Sequence, residues 1–187
     1  MQIIPAILTN DIEEFENLLA RISHKYDRVQ IDFIDGEYAN NLTILPKDIK
    51  NPYNLKLDAH LMVTEKNLQE YLQNLEGFDR IIIQMESISR PEDFDCLALD
   101  IHSPIEAIKP YLPKLKLVNL MDIEPGEGGQ KLDLRIFEKL SYLSNLRGLG
   151  NFKIAVDGGI EQKHLDVLDS LGVDEVVVGA SRMLSWK

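Results

Sequence analysis

The chain is poor in cysteine, in positive charge and in long apolar runs, and each scarcity closes off a class of protein. Cys96 is the only cysteine in 187 residues. An internal disulfide and a thiolate metal cluster are therefore ruled out, and a reducing, cytoplasmic setting is the simplest expectation. Lysine and arginine number 20 against 31 aspartates and glutamates, a formal net charge of −11. A polyphosphate is repelled over most of such a surface, so no nucleic-acid partner is expected. No apolar run approaches the roughly 20 residues of a membrane span, and the start, MQIIPAILTNDIEEF, lacks the basic region and long apolar core of a signal peptide. No membrane partner is expected either.

What is present describes an ordinary soluble globular chain, with 44% hydrophobic and 27% charged residues. Its length allows one substantial core but is short for an eight-fold parallel barrel, which typically needs about 250 residues. Apolar stretches at 2–8, 28–34, 55–63, 80–85, 96–99, 116–121, 153–157 and 175–178 read as strands. Amphipathic stretches fall between most of them: 12–22, a short piece near 46–49, 67–75, 104–112, 134–146 and 162–171. The connection 86–95 is so short that its helix must be vestigial, and 179–187 is too short for a full final helix. Strand and helix alternate with no linker, which predicts one α/β domain over residues 1–187: a (β/α)8 TIM barrel, shortened. The seam between the last and first strands must then be covered by a partner copy or by Met183, Leu184 and Trp186, and a homo-oligomer is the expectation.

The stretch Arg28 to Gly36, RVQIDFIDG, is the most telling. Alternation puts Val29, Ile31 and Phe33 on one strand face and Gln30 and Asp32 on the other, and Asp35-Gly36 ends the run with a turn. Taken alone, this is either an exposed edge strand with a solvated polar face or a barrel strand delivering an amide and a carboxylate to an active-site mouth. Asp32, His60, Gln84, Asp100, Asp122 and Asp157 all fall at or near strand C-termini, where a barrel brings them to one mouth. Two carboxylates facing each other across a carbon next to a carbonyl can remove a proton on one side and return it on the other. Such a proton becomes acidic enough only if a metal or another electrophile holds the developing oxygen charge. Glycines in the loops after the sixth, seventh and eighth strands, Gly126-Glu127-Gly128-Gly129, Gly158-Gly159 and Gly179, leave backbone N–H groups uncovered, as phosphate sites require.

IPAIL, VQIDFIDG, LDAHLMV, LMDIEPGEGGQK, IAVDGGI and VVVGAS, in this order, resemble the signature stretches of the ribulose-phosphate 3-epimerase family. The resemblance implies a (β/α)8 barrel that interconverts D-ribulose 5-phosphate and D-xylulose 5-phosphate, with Asp32 and Asp157 as the acid and base. It implies a divalent metal (zinc, iron, manganese or cobalt) on Asp32, His60 and Asp157, with Gln30 as a fourth ligand. It also implies a small phosphorylated sugar resting on Gly128, Gly129, Gly158, Gly159, Gly179 and Ala180, with Met62 and Met121 beside it.

The departures from that pattern change the lining and spare the frame. Gln30 stands where the family has its first histidine ligand, and an amide oxygen is a poorer ligand for zinc, so the metal is expected to bind weakly or not at all. Ala6 replaces a serine, Ile34 a methionine and Gln84 a further histidine, and Asp122, Glu124 and Glu127 make the phosphate loop acidic. The first expectation is thus an epimerase-like isomerase acting on a phosphorylated ketose through an enediolate. The second is a catalytically silent relative that serves as a scaffold or sugar-phosphate sensor.

Overall fold

In the computed structural model, which describes residues 1–186, eight parallel strands close into a barrel in simple sequence order. They are β1 (Gln2–Ile7), β2 (Arg28–Ile34), β3 (Lys56–Met62), β4 (Arg80–Gln84), β5 (Cys96–Leu99), β6 (Leu117–Met121), β7 (Lys153–Asp157) and β8 (Glu175–Gly179). Closure is made by β1, which pairs with β2 on one side and with β8 on the other, from Gln2 opposite Glu175 to Ala6 opposite Gly179. Val29, Ile31 and Phe33 of β2 join the core between the ring and its helices, while Gln30 and Asp32 turn inward. The exposed-edge alternative for this strand is thereby removed.

The ring is filled in tiers. At its N-terminal end, buried Asp58 pairs with Arg28 and, at 2.5 Å, with Arg80. Arg80 also reaches Glu175 at 2.8 Å, and Lys153 reaches the same carboxylate at 2.7 Å. A separate apolar cluster of Ile82, Cys96, Ala98, Leu117 and Ala155, drawn from β4 to β7, fills much of the interior. Polar side chains return only at the C-terminal end, which is where a barrel carries its chemistry.

The helices follow the apolar periodicity. In α1 (Ile12–Ser23) the carboxylate of Asp11 accepts from the backbone N–H groups of Glu13 (2.8 Å) and Glu14 (3.2 Å), and Phe15, Leu18, Leu19 and Ile22 are buried. α2 (Glu65–Leu72), α3 (Ile136–Asn145) and α4 (Leu165–Ser170) occupy the stretches read as helical, with ends displaced by a few residues. Between β4 and β5 only the single 3₁₀ turns Met85–Ser87 and Pro91–Asp93 form, the vestigial connection expected. The helix expected at 104–112 is 3₁₀ throughout, Ile105–Tyr111, with Pro110 inside it; a proline lacks the N–H that would continue an α-helical ladder.

After β8 the chain makes one turn, α5 (Ala180–Met183). Met183 is buried there, and Leu184 and Trp186 pack against the main core, so closing this seam does not require a second copy. Among the described residues no helix is long and apolar enough to cross a membrane.

Candidate active site

Strand alternation places Gln30, Asp32, His60, Gln84, Asn119 and Asp157 inside the C-terminal end of the ring. The register sets Asp32 of β2 beside His60 of β3, and Gln30 beside Asp58. Ligand atoms of Asp32, His60 and Asp157 lie within 4.8 Å of one another. His60 Nδ1 is 3.4 Å from Asp32 Oδ1 and 3.5 Å from Asp157 Oδ2. The amide nitrogen of Gln30 donates to Asp32 Oδ1 at 2.8 Å and to Asp157 Oδ2 at 2.7 Å. Asn119 Nδ2 donates to the same Asp157 oxygen at 3.0 Å.

On its other side His60 Nε2 lies 3.3 Å from Gln84 Oε1, and Gln84 Nε2 donates to the Tyr38 hydroxyl at 3.3 Å. A histidine whose Nε2–H is held by an amide oxygen presents Nδ1 in a fixed direction, here toward the two carboxylates. Tyr38 is itself set by Asp35, whose Oδ1 accepts from the Tyr38 N–H at 2.8 Å. The loop after β2 and the strand β4 together orient the ring.

Burial shapes the electrostatics. It pushes the Asp32 carboxyl above its usual range, with the Asp157 charge adding to the push and hydrogen bonds from His60 and Gln30 opposing it. For His60, burial works against protonation, but the hydrogen bonds and charges of Asp157 and Asp32 outweigh it and carry the imidazole up to about 10. Two buried carboxylates demand a neighbouring positive charge. Two carboxylate oxygens and an imidazole nitrogen so disposed also fit a divalent cation, and Gln30 can complete the set by turning its amide so that Oε1 faces inward.

Above these groups opens a cavity of about 530 Å³. Its lining includes Asp32, His60, Asp157, Met62 and Met121, and every residue named for phosphate: Gly128, Gly129, Gly158, Gly159, Gly179 and Ala180. Ala6 is also on this wall, whereas Gln30, Gln84 and Asn119 are fully buried beneath it. Two glycines are obligatory. At Gly158 (φ +108°) a Cβ would meet the Ile123 side chain and Asp122 Oδ1, and at Gly159 (φ +42°) it would run into the backbone of Lys131 and Leu132. The loops after β6 and β7 therefore lie against each other with no room for side chains between them.

The acidic substitutions separate into different kinds. Asp122 is completely buried and neither carboxylate oxygen has a hydrogen-bond partner. Burial, then the charges of Asp157 and Asp133, push its carboxyl up to about 8, so at neutral pH it is mostly uncharged. Glu124 is exposed and engages His102, whose Nδ1 faces Arg135 Nη1 at 3.0 Å; Asp100 completes this rim cluster and takes no part in the central constellation. Glu127 is exposed and lines the mouth of the cavity.

Sequence reasoning missed Asn119, Tyr38 and Arg182. Asn119 carried the signal that singled out Gln30, a polar residue inside an apolar strand, LVNLM. Arg182 stood three positions after the last loop glycine, Gly179.

An eight-stranded parallel ring whose polar groups and glycine loops gather at one mouth is a (β/α)8 barrel with its candidate site at the C-terminal face. Residues 2–183 match the model of the ribulose-phosphate 3 epimerase family, and the chain belongs to that family. Among similar proteins, Ribulose-phosphate 3-epimerase of Schizosaccharomyces pombe is 29% identical, with 96% of this chain and 86% of the relative aligned. The Helicobacter pylori (strain J99) protein of the same name is 30% identical over 96% and 89%, and a rice cytoplasmic isoform 30% identical over 96% and 86%. Of solved structures, tryptophan synthase subunit alpha from Campylobacter jejuni superposes with a TM-score of 0.61 at 16% identity, covering 96% of this chain and 86% of that one. That likeness is one of fold.

Proposed function

We propose that the chain epimerises a phosphorylated ketose, D-ribulose 5-phosphate being the first candidate, by moving a proton at the carbon next to the carbonyl. The observation that carries this reading is the convergence of Asp32 and Asp157, with His60 between them, under a cavity rimmed by glycine loops. Asp32 and Asp157 are the acid and base, one for each face of the reacting carbon, and either can start the cycle according to the epimer bound. Gln30 keeps the two carboxylates in register through one amide nitrogen, and Asn119 fixes the free rotation of Asp157. A divalent cation held by Asp32, His60 and Asp157 would supply positive charge that acidifies the proton to be removed, with the Gln30 amide turned to offer Oε1 in place of its contacts to the two carboxylates. The phosphate rests on backbone N–H groups around Gly128, Gly129, Gly158, Gly159, Gly179 and Ala180, with Met62 and Met121 against the carbon chain. A cytoplasmic setting agrees with the lone buried Cys96 and with the named isoform of the rice relative.

The test is incubation with ribulose 5-phosphate in deuterium oxide with added zinc, iron, manganese or cobalt. Deuterium at the third carbon is expected; none under any metal removes the activity. The silent-relative expectation gains no support from the relatives compared above, all of which carry the enzyme's name.

A further inference from the structure

The phosphate cup assigned above has backbone donors but an acidic surround, and its lining contains Glu14, Glu124 and Glu127. Among the described residues Arg182 is the one lysine or arginine on that lining. It is partly buried, and its partners are unusual. Nη1 donates to the Ile160 carbonyl at 3.3 Å and Nη2 to the Gln130 carbonyl at 3.1 Å. Arg28, Arg80, Arg90, Arg135 and Arg147 each hold a carboxylate. Arg182 and the exposed Arg21 hold none among the described residues, although so acidic a protein offers many.

Its two carbonyl partners are also placed tellingly. Gln130 directly follows Gly128-Gly129 and Ile160 directly follows Gly158-Gly159, so the guanidinium bridges the two glycine loops from the β8 side. Backbone carbonyls leave the full positive charge uncompensated. A planar guanidinium braced in this way keeps further N–H donors for an anion, and a charge-assisted contact to a phosphate oxygen is stronger than a neutral one.

We infer that Arg182 is the side-chain cation of the anion cup, binding the phosphate of the substrate while it ties the loops after β6 and β7 together. It offsets the neighbouring glutamates and makes the site selective for a ligand carrying a dianionic end. The inference rests on the phosphate subsite of the function proposed above, and inorganic phosphate tests it without turnover.

Titration of inorganic phosphate into the wild type, Arg182→Gln and Arg182→Lys is followed by calorimetry. Arg182→Gln should weaken phosphate by about tenfold or more, while Arg182→Lys stays within about threefold of wild type. In a working enzyme the Gln variant should raise KM for the sugar phosphate and leave kcat nearly unchanged. Equal phosphate affinity in wild type and Arg182→Gln overturns the inference, and so does an equal loss in both variants, which assigns Arg182 to loop bracing alone. Phenylglyoxal labelling of the wild type, read by mass spectrometry at Arg182, does not depend on any variant folding. Protection of Arg182 by inorganic phosphate is expected, and labelling at the same rate with and without it refutes the claim. Phosphate binding through Arg182 in a protein that exchanges no deuterium leaves this inference standing and overturns the epimerase reading instead.

Discussion

One nitrogen of Gln30 lies 2.7 Å from the carboxylate of Asp157, a residue 127 positions further along the chain. The same nitrogen reaches Asp32 at 2.8 Å. An amide thus occupies the corner where the family pattern has an imidazole.

Replacing that amide should change metal affinity more than fold. Gln30→His puts a better ligand in the same place, and affinity for zinc or cobalt is expected to rise by about tenfold or more. Competition against a chromophoric chelator measures it. Unchanged affinity would show that this position does not meet the cation.

Asp32→Asn and Asp157→Asn keep the shape of the site and remove the proton carriers. Each is expected to slow deuterium incorporation into ribulose 5-phosphate by about 10²- to 10⁴-fold. Circular dichroism should show both variants folded. If one of them retains wild-type exchange, that carboxylate is not part of the pair.

Asp122 puts two unpartnered oxygens in a fully buried place. Asp122→Ser leaves a single hydroxyl there and is expected to stabilise the protein by on the order of 1 kcal/mol, read by urea unfolding at neutral pH. Destabilisation would mean that the carboxyl has found a partner in solution.

Asp35 supplies the pH dependence. Its Oδ2 accepts from the Thr64 N–H and hydroxyl, both at 2.8 Å, and from Asn67 Nδ2 at 2.9 Å. Partial burial opposes its charge, yet the amides of Tyr38 and Thr64 and the Asn67 side chain win and hold the carboxyl below its ordinary 3.8. A depressed carboxyl stabilises the folded state at pH values above the unfolded pKa and loses that contribution as pH falls below 3.8 toward the folded value. Asp35→Asn should cost on the order of 1 kcal/mol at neutral pH, discounted for solvent, and less as acid is added. Acid-unfolding curves of the two proteins should therefore converge toward low pH; parallel curves would contradict the assignment.

The polar half of β2 was legible because a strand alternates with period two, and Gln30 and Asp32 disturb an otherwise apolar run. His60 and Asp157 were legible for the same reason, with glycine loops marking which end of the ring mattered. Arg182 was not, because its meaning lies in carbonyls 22 and 52 positions away, and local pattern carries no such information. Asp122 was taken for a charge facing phosphate. Its burial beside Gly158, and hence its neutrality, depends on how two loops pack. The 3₁₀ stretch Ile105–Tyr111 kept the apolar spacing of a helix, and Pro110 alone betrayed the difference.

The network of Arg28, Arg80 and Lys153 around Asp58 and Glu175 seals the far end of the ring, each carboxylate held by two cations. A small molecule that reaches Asp32 and Asp157 must then leave by the doorway through which it came. In the epimerisation proposed above, reactant and product would compete for that one passage, so each turnover would have to release the epimeric sugar phosphate before the next begins.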